Sequence, residues 1–219
     1  MSLETCFPLW NQLNSQEQKI LSQAAVYKEV SAGTHLFDSS TDCLGLVVVE
    51  SGQLRAFITS ESGKEITIYR LLSNDICLFS ASCVMRNIQF DIELEARQDT
   101  CLWIIPSRVY KELSDHSLAI ANYTNELMAS RFTDVMWLME QVMWNSMDQR
   151  LAGFLLEESN LRGDKVLTLT HEEIANHLGT AREVITRMLK HFASEGLVAL
   201  SRGVVEITDE NKLMELSSI

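Results

Sequence analysis

The residues of this chain whose types could do chemistry gather at HEEIANH, positions 171–177. Two imidazoles around a pair of carboxylates invite a zinc reading, in which His-Glu-x-x-His sets both rings one turn apart on one helix face with Glu as general base. Here Ala175 stands four residues after His171, and the second ring, His177, comes six residues on. Six residues carry a side chain roughly to the opposite side of a 3.6-residue helix, so one ion cannot bridge the two. No nucleophile, base or metal set converges elsewhere, so neither an enzyme nor a metal or other cofactor is expected. The five cysteines, Cys6, Cys43, Cys77, Cys83 and Cys101, are odd in number and follow no export signal, which predicts thiols rather than structural disulfides.

A different chemistry lies just downstream. In REVITRMLK the polar side chains are Arg182, Glu183, Thr186, Arg187 and Lys190, the first four within two helical turns. Arg can donate two hydrogen bonds to guanine and Glu can accept from the cytosine amine, which is how a helix reads the major groove. Alone, these charges equally describe a solvated helix face with a Glu183–Arg187 pair, worth roughly a few tenths of a kcal/mol.

The elements that must position them favour DNA. Thr170 has Glu173 three residues on, and Thr180 has Glu183 three residues on, each the pattern of a capping box at a helix start. Leu178-Gly179 supplies the turn between the two helices, and Ile174, Ala175, Leu178, Val184, Ile185, Met188 and Leu189 the apolar faces that lock them. After Gly196, LVALS and VVEIT flank Arg202-Gly203 as a two-stranded hairpin. Helix, turn, helix and hairpin make a winged helix-turn-helix, expected to contact DNA through Arg182, Glu183, Thr186, Arg187 and Lys190, with Thr170 and Thr180 at the helix starts.

The formal charge of −12 argues at first against nucleic acid, because neutralising phosphates takes Lys and Arg. Its distribution weakens the objection: residues 1–160 carry −10 and residues 162–219 only −2, with Arg162, Lys165, Arg182, Arg187, Lys190 and Arg202 near the helix pair. A local basic face remains, and the acidic remainder keeps nonspecific DNA affinity low. The N-terminus, MSLETCFPLW, is no signal peptide, and no run approaches the length of a membrane span, so a soluble, cytoplasmic protein is expected.

Upstream the texture changes twice. From about 26 to 105, short apolar blocks such as LGLVVVE, QLRAFI and EITIYRLL alternate with turn signals, predicting a β-sandwich or small β-barrel-like roll. From Ser107 to about Asn160 apolar residues recur at helical spacing, predicting one long helix continued by a second through DQRLAGFLLEES. Met128, Phe132, Val135, Leu138, Met139 and Val142 follow one stripe; Ile120, Tyr123, Leu127, Trp137 and Trp144 point to other faces. Burial on two sides accounts for both: one face on the roll, the other on the same helix of a second subunit.

With these parts in order, the chain resembles the Crp/Fnr family of bacterial transcription regulators over nearly its whole length. VSAGTHLF, LGLVVVESGQLRAF and SGKEITIYRLLSNDI are similar to that family's cyclic-nucleotide-binding-like roll, MDQRLAGFLLE to its hinge-proximal helix and REVITR to its recognition helix. The resemblance implies an α+β protein with an N-terminal β-roll or jelly-roll sensor domain at 1–115, a long dimerisation helix at 116–144 and a winged helix-turn-helix at 145–219. It implies that Arg182, Glu183 and Arg187 touch DNA, with Thr186 in the place of a serine in the Fnr-type E-x-x-S-R pattern. The expected partners are a near-palindromic operator and a second copy of the chain, with RNA polymerase as a further candidate and no membrane.

For the signal, the resemblance places the ribose- and phosphate-binding positions of cyclic-AMP-binding relatives at Leu78-Phe79 and Phe90-Asp91, where apolar groups and a carboxylate replace what an anion needs. Cyclic AMP is therefore not expected. The apolar run ICLFSASCVM, with Cys77 and Cys83, would suit a small apolar effector or plain core. The N-terminus offers only Cys6, too few for the cysteine run of Fnr-type iron–sulfur sensors. Thiol or redox sensing through Cys77 and Cys83, and a constitutive dimer with a purely structural roll, stand as the alternatives to an effector-gated regulator.

Overall fold

The computed structural model describes residues 2–37, 45–78 and 92–217. The chain divides into two compact units, residues 1–59 with 68–135, and residues 60–67 with 136–219. The first opens with helices α1 (Leu3–Cys6) and α2 (Ser15–Ala24), which precede the region assigned from texture. The signal for α2 was present in NSQE: the Asn14 side chain accepts from Glu17 N–H at 3.0 Å, and Glu17 accepts from Asn14 N–H at 2.8 Å.

Among the described residues eight strands follow: β1 (Val26–Val30), β2 (His35–Phe37), β3 (Leu46–Ser51), β4 (Leu54–Thr59), β5 (Glu65–Leu71), β6 (Ile76–Cys77), β7 (Glu93–Ala96) and β8 (Thr100–Ile105). They form two four-stranded sheets in the orders β1-β8-β3-β6 and β2-β7-β4-β5. The expected roll is thus built from two sheets. LVVV in β3 does not alternate because both its faces are covered. Val47 and Val49 join Leu54, Leu94 and Leu102 between the sheets, while Leu46 and Val48 pack with Leu21, Tyr110 and Ile120 under the helices. Gly52 turns β3 into β4 at φ +97°, where a Cβ would lie 2.5 Å from Thr100 Oγ1, so no other residue fits.

The helical stretch holds the expected long helix and its continuation as separate helices, with a further short helix ahead of them. α3 (Ser107–His116) ends at Ser117, α4 runs Leu118–Trp144, and α5 (Met147–Arg162) restarts after Ser146, whose backbone N–H donates to Gln149 Oε1 at 2.8 Å. On α4, Ile120 and Leu127 are buried in the core of the first unit, with Tyr123 and Met128 packed against it. Phe132, Val135, Met139 and Val142 are exposed. So are Trp137 and Trp144, grouped by sequence with the inward residues but lying on neither the core side nor the Val135 side of the helix.

The second unit packs α5, β9 (Val166–Thr168), α6 (His171–Leu178), α7 (Arg182–Ser194), β10 (Val198–Ser201), β11 (Val204–Ile207) and α8 (Glu210–Ser217) around Leu151, Leu155, Ile174, Ile185, Leu189, Phe192 and Leu213. Its sheet runs β10-β11-β9, so the expected two-stranded hairpin gains a third strand, with Thr168 opposite Val204. Among the described residues no helix is long and apolar enough to cross a membrane.

Candidate nucleic-acid interface

The helix pair is positioned by its ends. Thr170 Oγ1 accepts from Glu173 N–H at 3.1 Å while Glu173 Oε2 accepts from Thr170 N–H at 2.7 Å, the reciprocal box that the sequence announced. α6 stops at Gly179, whose φ of +71° reverses the chain at little cost for a residue without Cβ. A contact that sequence reasoning missed secures this corner: Arg150 of α5 donates through Nη2 to Leu178 O at 2.7 Å. That satisfies a carbonyl orphaned at the helix end, twenty-eight residues away in sequence. Burial lowers the Arg150 pKa from its ordinary value.

The second expected box does not form. Ala181, not Thr180, is the N-cap of α7, and its carbonyl accepts from Val184 and Ile185 N–H at 3.0 and 3.3 Å. Thr180 sits one residue outside the helix, so Glu183 falls at the second helical position instead of the third, and no side chain caps the start. Its carboxylate is left on the exposed face of α7.

α7 is divided cleanly. Ile185, Leu189 and Phe192 are buried, while Arg182, Glu183, Thr186, Arg187 and Lys190 line one solvent-open concavity of about 440 Å³. Among the described residues Glu183 and Arg187 form no ion pair with each other or with a neighbour, so the self-satisfied helix face is not what the structure adopts. The basic surface is narrower than the sequence suggested. Arg162 is bound to the buried Glu158 at 3.0 Å and donates to Thr168 O at 3.3 Å, and Lys165 pairs with Glu210 at 2.6 Å. Arg202 remains exposed in the β10–β11 loop beside Gly203, whose φ is +73°.

The two histidines of HEEIANH part company. His171 Nδ1 lies 2.9 Å from Thr186 Oγ1, whereas the His177 ring packs on Phe154 at 4.5 Å between centroids. Burial first, then the charges of Arg182 and Lys190, lower the His171 pKa and favour its neutral ring.

In the roll, Cys77 and Leu78 are buried, with Cys77 Sγ 3.5 Å from the Tyr69 hydroxyl. Phe79, Cys83, Phe90 and Asp91 lie outside the described residues. Cys6 is buried too; desolvation, and secondarily Glu50, push its thiol pKa up to about 11, which keeps it protonated.

A winged helix-turn-helix with an open polar helix face, following a β-roll and a long helix in the chain, defines a DNA-binding transcription regulator rather than an enzyme. Residues 149–216 match the Crp-like helix-turn-helix domain family. A crystal structure assigned to the Crp/Fnr family of transcriptional regulators, from Eubacterium rectale ATCC 33656, is 55% identical, with a TM-score of 0.95 over 98% of this chain and 99% of that one. The chain belongs to the Crp/Fnr family. Among curated relatives, the anaerobic regulatory protein of Haemophilus influenzae is 25% identical over 98% of this chain and 84% of its own length. The transcriptional activator protein FnrA of Stutzerimonas stutzeri is 27% identical over 97% and 88%. The protein is accordingly a signal-responsive, DNA-binding transcription regulator of a family whose members act as dimers.

Proposed function

We propose that the chain works as three parts: residues 1–115 as sensor, 116–144 as pairing helix and 145–219 as DNA reader. Two copies associate through the α4 stripe of Phe132, Val135, Met139 and Val142, with Met128 and Leu138 at its edge on the core side. Exposure of Phe132 at 67% and Val142 at 48% is what a second copy would cover. Each α7 enters a major groove of a near-palindrome whose half-sites are about one helical turn, ~34 Å, apart. Glu183 and Arg187 read base edges. Arg182, Lys190, Thr170 and Thr180 contact the backbone around them.

The observation that carries this reading is the set of five polar side chains on one open face of α7, with Glu183 and Arg187 uncommitted inside the protein. The signal enters beside Leu78 and biases the helix pair between two dimer states. Leu78, apolar and 1% exposed, stands at a ribose-binding position of the cyclic-AMP-binding relatives and brings no polar side chain to it, which supports an effector other than cyclic AMP. The site of action is the cytoplasm, where RNA polymerase is the further partner.

The test is selection of an operator from random duplexes, followed by titration with Glu183→Ala and Arg187→Ala. Each variant is expected to lose ~1–3 kcal/mol per half-site on the selected sequence and much less on random DNA. Equal losses on both would remove these residues from base reading.

A further inference from the structure

Thr186 occupies the centre of the open face of α7, and its hydroxyl is already committed. It donates to the Arg182 carbonyl one turn back at 2.9 Å, and it lies 2.9 Å from His171 Nδ1. A hydroxyl carries one proton. With that proton on the carbonyl, the contact to His171 is a hydrogen bond only if Nδ1 bears the hydrogen and donates, so the ring is held as the Nδ1–H tautomer. Two bonds from two different helices therefore fix the Thr186 side chain and leave its hydroxyl no proton to give. What it retains for an outside partner is one lone pair and its methyl, and the methyl is the larger group it offers the groove.

Building on the proposal that α7 enters the major groove, we infer that Thr186 reads a base through its Cγ2 methyl, packed on the C5-methyl of a thymine, and that His171 is the positioning residue that turns this methyl outward. A guanine offers only acceptors at its groove edge, and Thr186 has no proton for them; an adenine or cytosine amine could meet only the one remaining lone pair, whereas thymine alone presents a methyl for the Cγ2 methyl to pack on. A serine at the same position could make both internal bonds but would bring nothing to the groove. The hydroxyl shared by Thr and Ser is thus structural here, and the extra carbon is the reader.

Removing one carbon from either partner tests this. On the selected operator, each thymine is replaced singly by deoxyuridine, which deletes only the C5-methyl, and affinity is followed by fluorescence anisotropy. One replacement per half-site is expected to weaken wild-type binding about four-fold, the equivalent of one unburied methyl group. Thr186→Val, which keeps the methyl, is expected to show the same uracil penalty. Thr186→Ser is expected to bind the thymine operator about four-fold more weakly and to ignore the replacement. His171→Phe, which removes one of the two bonds that hold the hydroxyl, is expected to shrink the uracil penalty without changing affinity for random DNA, and His171→Asn, with an N–H near the Nδ1 position, to restore it. Wild-type indifference to every uracil, or a Thr186→Val that loses discrimination while Thr186→Ser keeps it, overturns the inference. Glu183→Ala on the same duplexes separates this from the broader reading: if its loss is confined to the selected operator while the uracil arm fails, α7 still reads DNA and only the methyl assignment falls.

Discussion

The guanidinium of Arg131 lies over the ring of Tyr69, 4.5 Å from its centroid, and binds Asp134 one turn further along α4 at 2.8 Å. Arg131 is 9% exposed and its Nε has no acceptor among the described residues, while Tyr69 is buried against Cys77. One face of a long helix thus holds a cation against the roll with one hydrogen unmatched. Such a group stabilises mainly by filling space. Arg131→Met, of similar length and without the unmatched donor, is expected to change unfolding free energy by less than ~1 kcal/mol. Arg131→Ala, which leaves a hole beside Tyr69, is expected to cost ~2–4 kcal/mol. Urea denaturation of the two variants checks the difference.

Val135 is 41% exposed at the middle of the bare stripe on α4. In a two-fold pair it would meet its own copy, so Val135→Asp would set two carboxylates together away from water. Sedimentation is expected to show a monomer, with a large fall in operator affinity. A variant that stays a tight dimer would move the seam to another face, with Trp137 and Trp144 the first place to look.

The two Thr-x-x-Glu patterns should respond differently to truncation. Thr170→Ala removes a bond to an orphan amide and is expected to cost ~1 kcal/mol. Thr180→Ala removes no cap and is expected to stay within ~0.5 kcal/mol of wild type. Thermal unfolding of both variants measures it.

His171 predicts a pH dependence. Its pKa in the folded chain is below the ordinary value of 6.5, so between these two values the unfolded chain binds more protons. The stability it contributes is complete above about pH 6.5 and is lost as pH falls toward the depressed value. Carboxylates contribute at lower pH, so the readout is a difference. Between pH 7.5 and 5.5, wild type should lose more stability than His171→Asn, and equal losses would place the titration elsewhere.

Much of this was legible along the chain because it is local. The αL turn at Gly179, the Thr170 box and the separation of Ile185, Leu189 and Phe192 from Arg182, Glu183 and Arg187 all follow from side chains a turn or less apart, where 3.6-residue periodicity and capping chemistry operate. The roll was legible from short apolar blocks for the same reason. Met128, Trp137 and Trp144 could not be placed that way, since periodicity shows that a helix has several apolar faces but not which one meets the roll.

By itself, then, the sequence determined the succession of elements, the winged helix-turn-helix and the polar face of its second helix. Only the tertiary structure decided which of those polar groups are free. Lys165 meets Glu210 and Arg162 meets Thr168 O, so both leave the basic face. Arg150 reaches Leu178 O across twenty-eight residues, and His171 takes up Thr186 across fifteen. The physical reason is that a charge or hydroxyl is satisfied by whatever packing brings within about 3 Å, and packing between distant segments leaves no period in the sequence.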